Sequence, residues 1–217
     1  MTAVVSRSTV GTEVSNLIKN TYALLSATLL FTAAVSWAAM DLRLGGWACL
    51  GFVIGSFALI SGIYKARNSA LGILGLFIFA GLQGAGLGPA IASVLKTPHG
   101  SEAVAMASFL TASVFVGLSA YVHVTKKDFS AWGGMLFAGL LVVVVASLVG
   151  LCIPSGAYDV MISAVSALVF CGYILYGTSR IVTGGETNYV MATLGLYLDG
   201  LNLFLDLLDL LDWTEGD

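Results

Sequence analysis

Long runs without a charged side chain dominate this chain. Residues 20–40, 44–64, 68–95, 103–125, 129–158 and 160–179 contain no Asp, Glu, Lys or Arg, and each run holds at least 20 residues. About 20 residues at a rise of about 1.5 Å cross a hydrocarbon layer of about 30 Å. Inside that layer a segment must satisfy its own backbone N–H and C=O groups, so these runs predict helices rather than strands. A seventh apolar stretch, 189–211, has the right length but is interrupted by Asp199, Asp206 and Asp209. Its length and flanks predict a seventh helix. The pattern reads as an all-α, polytopic membrane protein built as a seven-transmembrane helix bundle. A polar N-terminal tail occupies 1–19, the helices occupy 20–212, and a short acidic tail occupies 213–217. The linkers are too short for a separate soluble domain.

Composition supports this reading. Hydrophobic residues make up 58% and charged residues 10%, where soluble domains carry about 25% charge. The net charge of −3 says little about partners, because the charges flank the apolar runs. No basic stripe points to nucleic acid; the expected partner is the lipid bilayer. The first 19 residues lack a signal peptide's order of basic start, apolar core and small-residue cleavage site, and are expected to precede an uncleaved first span. Lys and Arg counts set the orientation. With the N-terminus inside, the inner segments carry Arg7, Lys19, Lys65, Arg67, Lys126, Lys127 and Arg180, against Arg43 and Lys96 outside. The N-terminus is therefore expected in the cytoplasm. Seven spans place the C-terminal Asp212, Glu215 and Asp217 outside; six would place them inside.

Glycine, at 26 residues, is abundant. Gly51/Gly55 and Gly84/Gly88 have the small-xxx-small spacing that lets membrane helices approach closely. "GAGLGP" (84–89) has no strand before it, so it reads as a packed helix segment kinked near Pro89 rather than a phosphate loop. Cys49, Cys152 and Cys171 show no paired spacing and read as small buried packing residues.

The last helix carries the unusual chemistry. Asp199, Asn202, Asp206 and Asp209 stand at i, i+3, i+7 and i+10, which places them within an arc of about 80°. Each aspartate near a helix centre costs about 2.5–3.5 kcal/mol on insertion scales. Asp199 falls near the membrane midplane, and Asp206 and Asp209 nearer the outer surface. No Lys or Arg lies within the first six spans to pair with Asp199, which leaves protonation, water or a bound cation. The functional reading is a cation or proton path lined by Asp199, Asn202 and Asp206, with Asp209 at its outer mouth. The alternative is a protonated Asp199 hydrogen-bonded inside the bundle, with Asp206 and Asp209 in the outer headgroup region, which is the reading preferred for Asp209. Gln83, Ser113, Ser119, Ser163 and Ser166 read as interhelical hydrogen-bonding groups, His123 as an interfacial residue and His99 as an outer-loop residue. Neither His–Glu metal spacing nor a Ser–Lys dyad appears within the spans. No enzyme activity, resident metal or cofactor is expected.

Several motifs are similar to those of the Bax inhibitor (transmembrane Bax inhibitor motif) family, most closely its bacterial YccA-like branch. They are "NTYALLSATL" (20–29), "KKDFS" (126–130) with "GGML" (133–136), "GGETNY" (184–189) and "LYLDGLNLF" (196–204). The resemblance runs from about residue 20 to 212. It implies a seven-helix bundle with the last helix central, a bacterial inner-membrane location and a cytoplasmic N-terminus. It implies two functions: modulation of an FtsH-type AAA protease, which can engage the N-terminal tail, and a pH-sensitive calcium leak gated by two acids. Asp199 stands at the last-helix acid, so transient calcium is expected there. Gly177 stands where the sixth-helix acid belongs, and Asp206 and Asp209 are extra acids; from the helical spacing alone, Asp206 is expected to take over part of that role from a different height. The loop residues Gly184, Gly185, Glu186 and Asn188 carry the most specific part of the resemblance.

Overall fold

A computed structural model describes residues 2–42, 46–152 and 155–216, with side chains over 12–42, 51–152 and 155–213. Arg43, Asp217 and the side chains of Arg7, Cys49 and Glu215 lie outside the described residues. Among those described, the chain is all α: α1 (Thr2–Ala38), α2 (Gly46–Ala66), α3 (Ala70–Val94), α4 (Gly100–Thr125), the 3-10 turn η1 (Ser130–Trp132), α5 (Gly133–Gly150), α6 (Gly156–Thr183) and α7 (Tyr189–Gly216). Five segments are long and apolar enough to cross a membrane: Thr12–Ala38, Ala70–Val94, Gly100–Thr125, Ser130–Gly150 and Gly156–Thr183. The described apolar part of α2, Gly51–Ala66, is shorter. The aspartates of α7 lower its hydropathy.

Two boundaries differ from the charge pattern. Helix α1 begins at Thr2, so the polar first segment is helical and continuous with the first span. Between α5 and α6 the chain leaves the helix after Gly150 and re-enters at Gly156. Asp159 therefore lies in the first turn of α6 rather than in a linker. A carboxylate there meets the positive end of the helix dipole, as Arg180 in the last turn meets the negative end.

The helices form two compact units, residues 1–93 with 186–197 and residues 94–185 with 198–217. In the first, α3 packs on α1 through glycines. A Cβ on Gly84 would stand 2.6 Å from the Thr32 carbonyl oxygen, and one on Gly88 2.6 Å from that of Ser36. Only residues without side chains permit that approach. Gly51 behaves differently: nothing among the described residues lies within 4 Å of its Cβ position. Pro89 sits inside α3, which continues to Val94. In the second unit α6 packs against both α4 and α5. Its core gathers Ala167, Phe170 and Ile174 of α6 with Leu203 of α7.

The cysteines divide. Cys171 is partly covered, but Cys152 is exposed, because it follows the last turn of α5 instead of lying within the helix. Ser113 is also exposed on α4, whereas Ser56 donates to Gln83 Oε1 across α2 and α3 at 3.1 Å.

Candidate functional site

The polar face of α7 meets a row of hydroxyls on α6, within the second unit. Ser163 Oγ donates to Asp209 Oδ2 at 3.3 Å. One turn along, the Ser166 hydroxyl stands near enough to the Asp206 carboxyl to interact with it. Tyr173, two turns further along α6, stands near enough to Asp199 for the two groups to interact electrostatically. At the other end Gly156 packs against the Trp213 ring, and Thr97 Oγ1 donates to Asp212 Oδ1 at 3.2 Å. These pairs share one antiparallel register. Serines three apart on α6 face aspartates three apart on α7, so one hydroxyl row tracks one carboxylate row.

The candidate residues occupy distinct environments. Asp199 is buried, with 9% of its surface exposed, and no described Lys, Arg or His forms an ion pair with it. The Asn202 side-chain amide donates to the Leu198 carbonyl of its own helix at 2.7 Å. Asp206 Oδ2 is buried and has no hydrogen-bond partner among the described residues. Asp209 and Asp159 approach closely enough to interact. Gly177 follows Tyr176 inside α6. Among the described residues no three His, Cys, Asp or Glu side chains cluster closely enough to hold a metal ion.

The loop 184–188 works as a double cap. Gly184 ends α6 in the left-handed conformation, φ 82°, which glycine adopts without steric cost. Arg180 donates to the Gly185 carbonyl at 2.9 Å. Glu186 Oε1 accepts the N–H groups of Thr187 and Asn188, each at 2.9 Å. Asn188 Oδ1 accepts the Met191 N–H at 3.0 Å and so caps the start of α7. Its Nδ2 donates to the Arg67 carbonyl at 3.0 Å and to Asn68 Oδ1 at 2.8 Å. These last bonds, inside the first unit, tie the start of α7 to the turn between α2 and α3.

"KKDFS" is a corner of the same kind. Lys126 ends α4 with φ 54° and donates its N–H to Val122. Asp128 Oδ1 accepts the Ser130 N–H at 2.8 Å, and its bonds to Ser130 hold its carboxyl below the ordinary aspartate range. The Phe129 N–H donates to Ser179 Oγ of α6 at 3.0 Å.

A second polar row did not register in the sequence. Thr21, Thr28, Thr32 and Ser36 are buried on one face of α1. Thr32 Oγ1 lies 2.7 Å from Tyr197 Oη and donates to the Ala80 carbonyl at 3.1 Å. Thr193 Oγ1 reaches the Thr21 carbonyl at 3.2 Å. The spacing of 7, 4 and 4 residues is the available signal. It is quiet because threonine does not interrupt an apolar run as aspartate does.

Apolar helices of membrane-spanning length, whose buried polar groups gather in internal rows and caps, define a helical integral membrane protein. Comparison with known proteins places it more closely. The profile of the family described as "Inhibitor of apoptosis-promoting Bax1" matches residues 14–216. A membrane protein of Vibrio cholerae is 44% identical over 200 residues, covering 92% of this chain and 90% of its own. The Escherichia coli K12 protein named "Modulator of FtsH protease YccA" is 40% identical over 200 residues, covering 92% and 91%. The same identity and coverage hold for a protein named "Inner membrane protein YccA" from a second Escherichia coli strain. "Bax inhibitor 1" of Schizosaccharomyces pombe is 34% identical over 170 residues, covering 77% and 62%. The chain belongs to the Bax inhibitor family.

Proposed function

We propose that this protein is a non-enzymatic, seven-span inner-membrane modulator of an FtsH-type AAA protease, with its N-terminus cytoplasmic and its C-terminus external. The observation that carries the reading is the 40% identity, across nearly the full length of both chains, to a protein named for modulation of that protease. Val190, Leu194 and Leu196 are buried within the first unit and Leu203 within the second, so α7 contributes to the core of each. The helical segment ahead of the first span offers the protease a handle outside the bilayer. Affinity-tagged protein should co-purify with the protease from detergent-solubilised membranes. Deleting residues 2–15 should then weaken binding and slow turnover of this chain. Absence of co-purification overturns the partnership; unchanged binding and turnover in the deletion overturns the role of the tail.

A second reading rests on Asp206, whose Oδ2 is buried without a partner among the described residues. It supports a pH-sensitive cation leak along Asp199, Asn202 and Asp206, with Asp209 at the outer mouth and calcium as the transported ion. Protein in liposomes should carry a pH-dependent calcium flux that falls in Asp199→Asn. Flux identical in the variant removes Asp199 as the gate.

A further inference from the structure

The corner between α4 and η1 holds a residue that capping alone disfavours. Lys126 is the one non-glycine at positive φ among the described residues, at 54°. The corresponding position after α6 is Gly184, at φ 82°. A β-carbon is penalised in this conformation and glycine is not. A lysine held there against that preference points to use of its side chain.

Its surroundings indicate what that use is. Lys126 and Lys127 are both exposed, and Lys127 Nζ lies 5.6 Å from the centroid of the Tyr121 ring. Phe129 packs between Tyr121 and Trp132, at centroid distances of 6.4 and 5.0 Å. Phe129 is buried, while Tyr121 and Trp132 are each 40% exposed. The bond from the Phe129 N–H to Ser179 fixes this platform against α6. Tyrosine and tryptophan settle at the level of lipid headgroups, which brings the adjoining lysine amines to the level of the phosphates. Asp128, the acid beside them, turns its Oδ1 to the Ser130 N–H. Arg180, next to the Ser179 anchor, lies over Tyr176 and donates to Gly185, so it contributes to the field of this corner without being needed as a ligand.

We propose that Lys126 and Lys127 bind the phosphate of an anionic glycerophospholipid, with Tyr121 and Trp132 against its glycerol and upper acyl chain. The partner follows from charge complementarity. Adjacent amines favour a phosphate whose charge is not cancelled by a choline, and a half-exposed aromatic platform favours a phosphate that carries acyl chains.

The test is thermal unfolding of the full-length protein in detergent, titrated with dioctanoyl phosphatidylglycerol, dioctanoyl phosphatidylcholine or inorganic phosphate. Phosphatidylglycerol should raise the melting temperature saturably, and the other two should not. Each lysine near an anionic surface is worth about fivefold in affinity, so Lys127→Gln should weaken the titration about fivefold. Lys126→Gly should melt at or above the wild type without lipid, because it relieves the left-handed strain, yet lose a similar part of the lipid affinity. Arg at both positions should preserve the response, and Lys96→Gln, at the opposite end of α4, should leave it intact. The proposal is overturned by no response in wild type, by a response to phosphatidylcholine or phosphate of equal size, by an undiminished response in Lys126→Gly or Lys127→Gln, or by an equal loss in Lys96→Gln.

Discussion

At Gly84 and Gly88 α3 lies close against α1, and the nearest group facing each is a backbone carbonyl oxygen that cannot rotate away. Gly84→Ala should therefore destabilise the protein by about 1–3 kcal/mol, the usual range for overpacking, read as a lowered melting temperature in detergent. Gly51→Ala is the matched comparison. Its Cβ position is open, so the change should stay within about 0.5 kcal/mol of neutral or gain slightly. Equal losses at the two sites would refute close approach as the cause. Asn188 presents a related contrast, since one side chain both caps α7 and ties it to residues 67 and 68. Asn188→Ala should cost about 1–2 kcal/mol for the cap alone. Asn188→Asp retains the accepting oxygen and should recover most of that cost, while losing the two donated bonds. An Asp variant no better than Ala would mean that the cap contributes little.

Much of each element could be read from the sequence, and the limits have physical reasons. The charge-free runs located the helices because lipid admits few charges, but they mislocated the α5–α6 break. Asp159 interrupts the charge-free pattern without interrupting the helix, since an acid is favourable in a first turn. The stripe of Asp199, Asp206 and Asp209 was legible from spacing within one helix. Its partners Ser163 and Ser166 were recognised only as interhelical groups, because the α6 face that meets α7 is a long-range property. The α1 row of Thr21, Thr28, Thr32 and Ser36 went unread for want of a charge to mark it. The paired rows make a quantitative expectation. Ser163→Ala and Ser166→Ala should each cost about 0.6 kcal/mol and at most about 1.7, the measured span for hydrogen bonds between membrane helices. A loss within error for both would mean that the aspartates find other partners. The corner at Asp128 adds a pH dependence outside the spans. Its carboxyl is held low by Ser130, so the cap is intact above the ordinary aspartate value of about 3.9 and is lost as pH falls through its lowered value. The Ser130 amide resonance should titrate below that ordinary value and stop titrating in Asp128→Asn. A midpoint at or above the ordinary value would contradict the cap.

At the scale of the whole chain the decisive question is whether α7 crosses the membrane. Its 28 residues span about 42 Å at about 1.5 Å each, more than a hydrocarbon core of about 30 Å requires. Against crossing stand the three aspartates within 189–211, Asp199, Asp206 and Asp209, each costing about 2.5–3.5 kcal/mol near a helix centre; Asp212 and Glu215 lie in the last turns. The cost falls where a carboxylate finds a hydroxyl donor or lies near the headgroups. Asp209 meets Ser163 and Asp206 meets Ser166, and in the proposed seven-span topology both would lie further from the midplane than Asp199. In that topology Asp199 alone would bear the full cost. Because α6 and α7 pair in an antiparallel register through a five-residue connection, 184–188, α7 should insert with α6 as a hairpin. Alkaline phosphatase fused after residue 217 should consequently be active, and a green fluorescent protein fused at the same point should be dark. The same fusions placed after Gly185 should give the reverse pattern. A fluorescent fusion at both points would leave α7 on the cytoplasmic side, and would remove the outer-mouth role of Asp209 together with the seventh span.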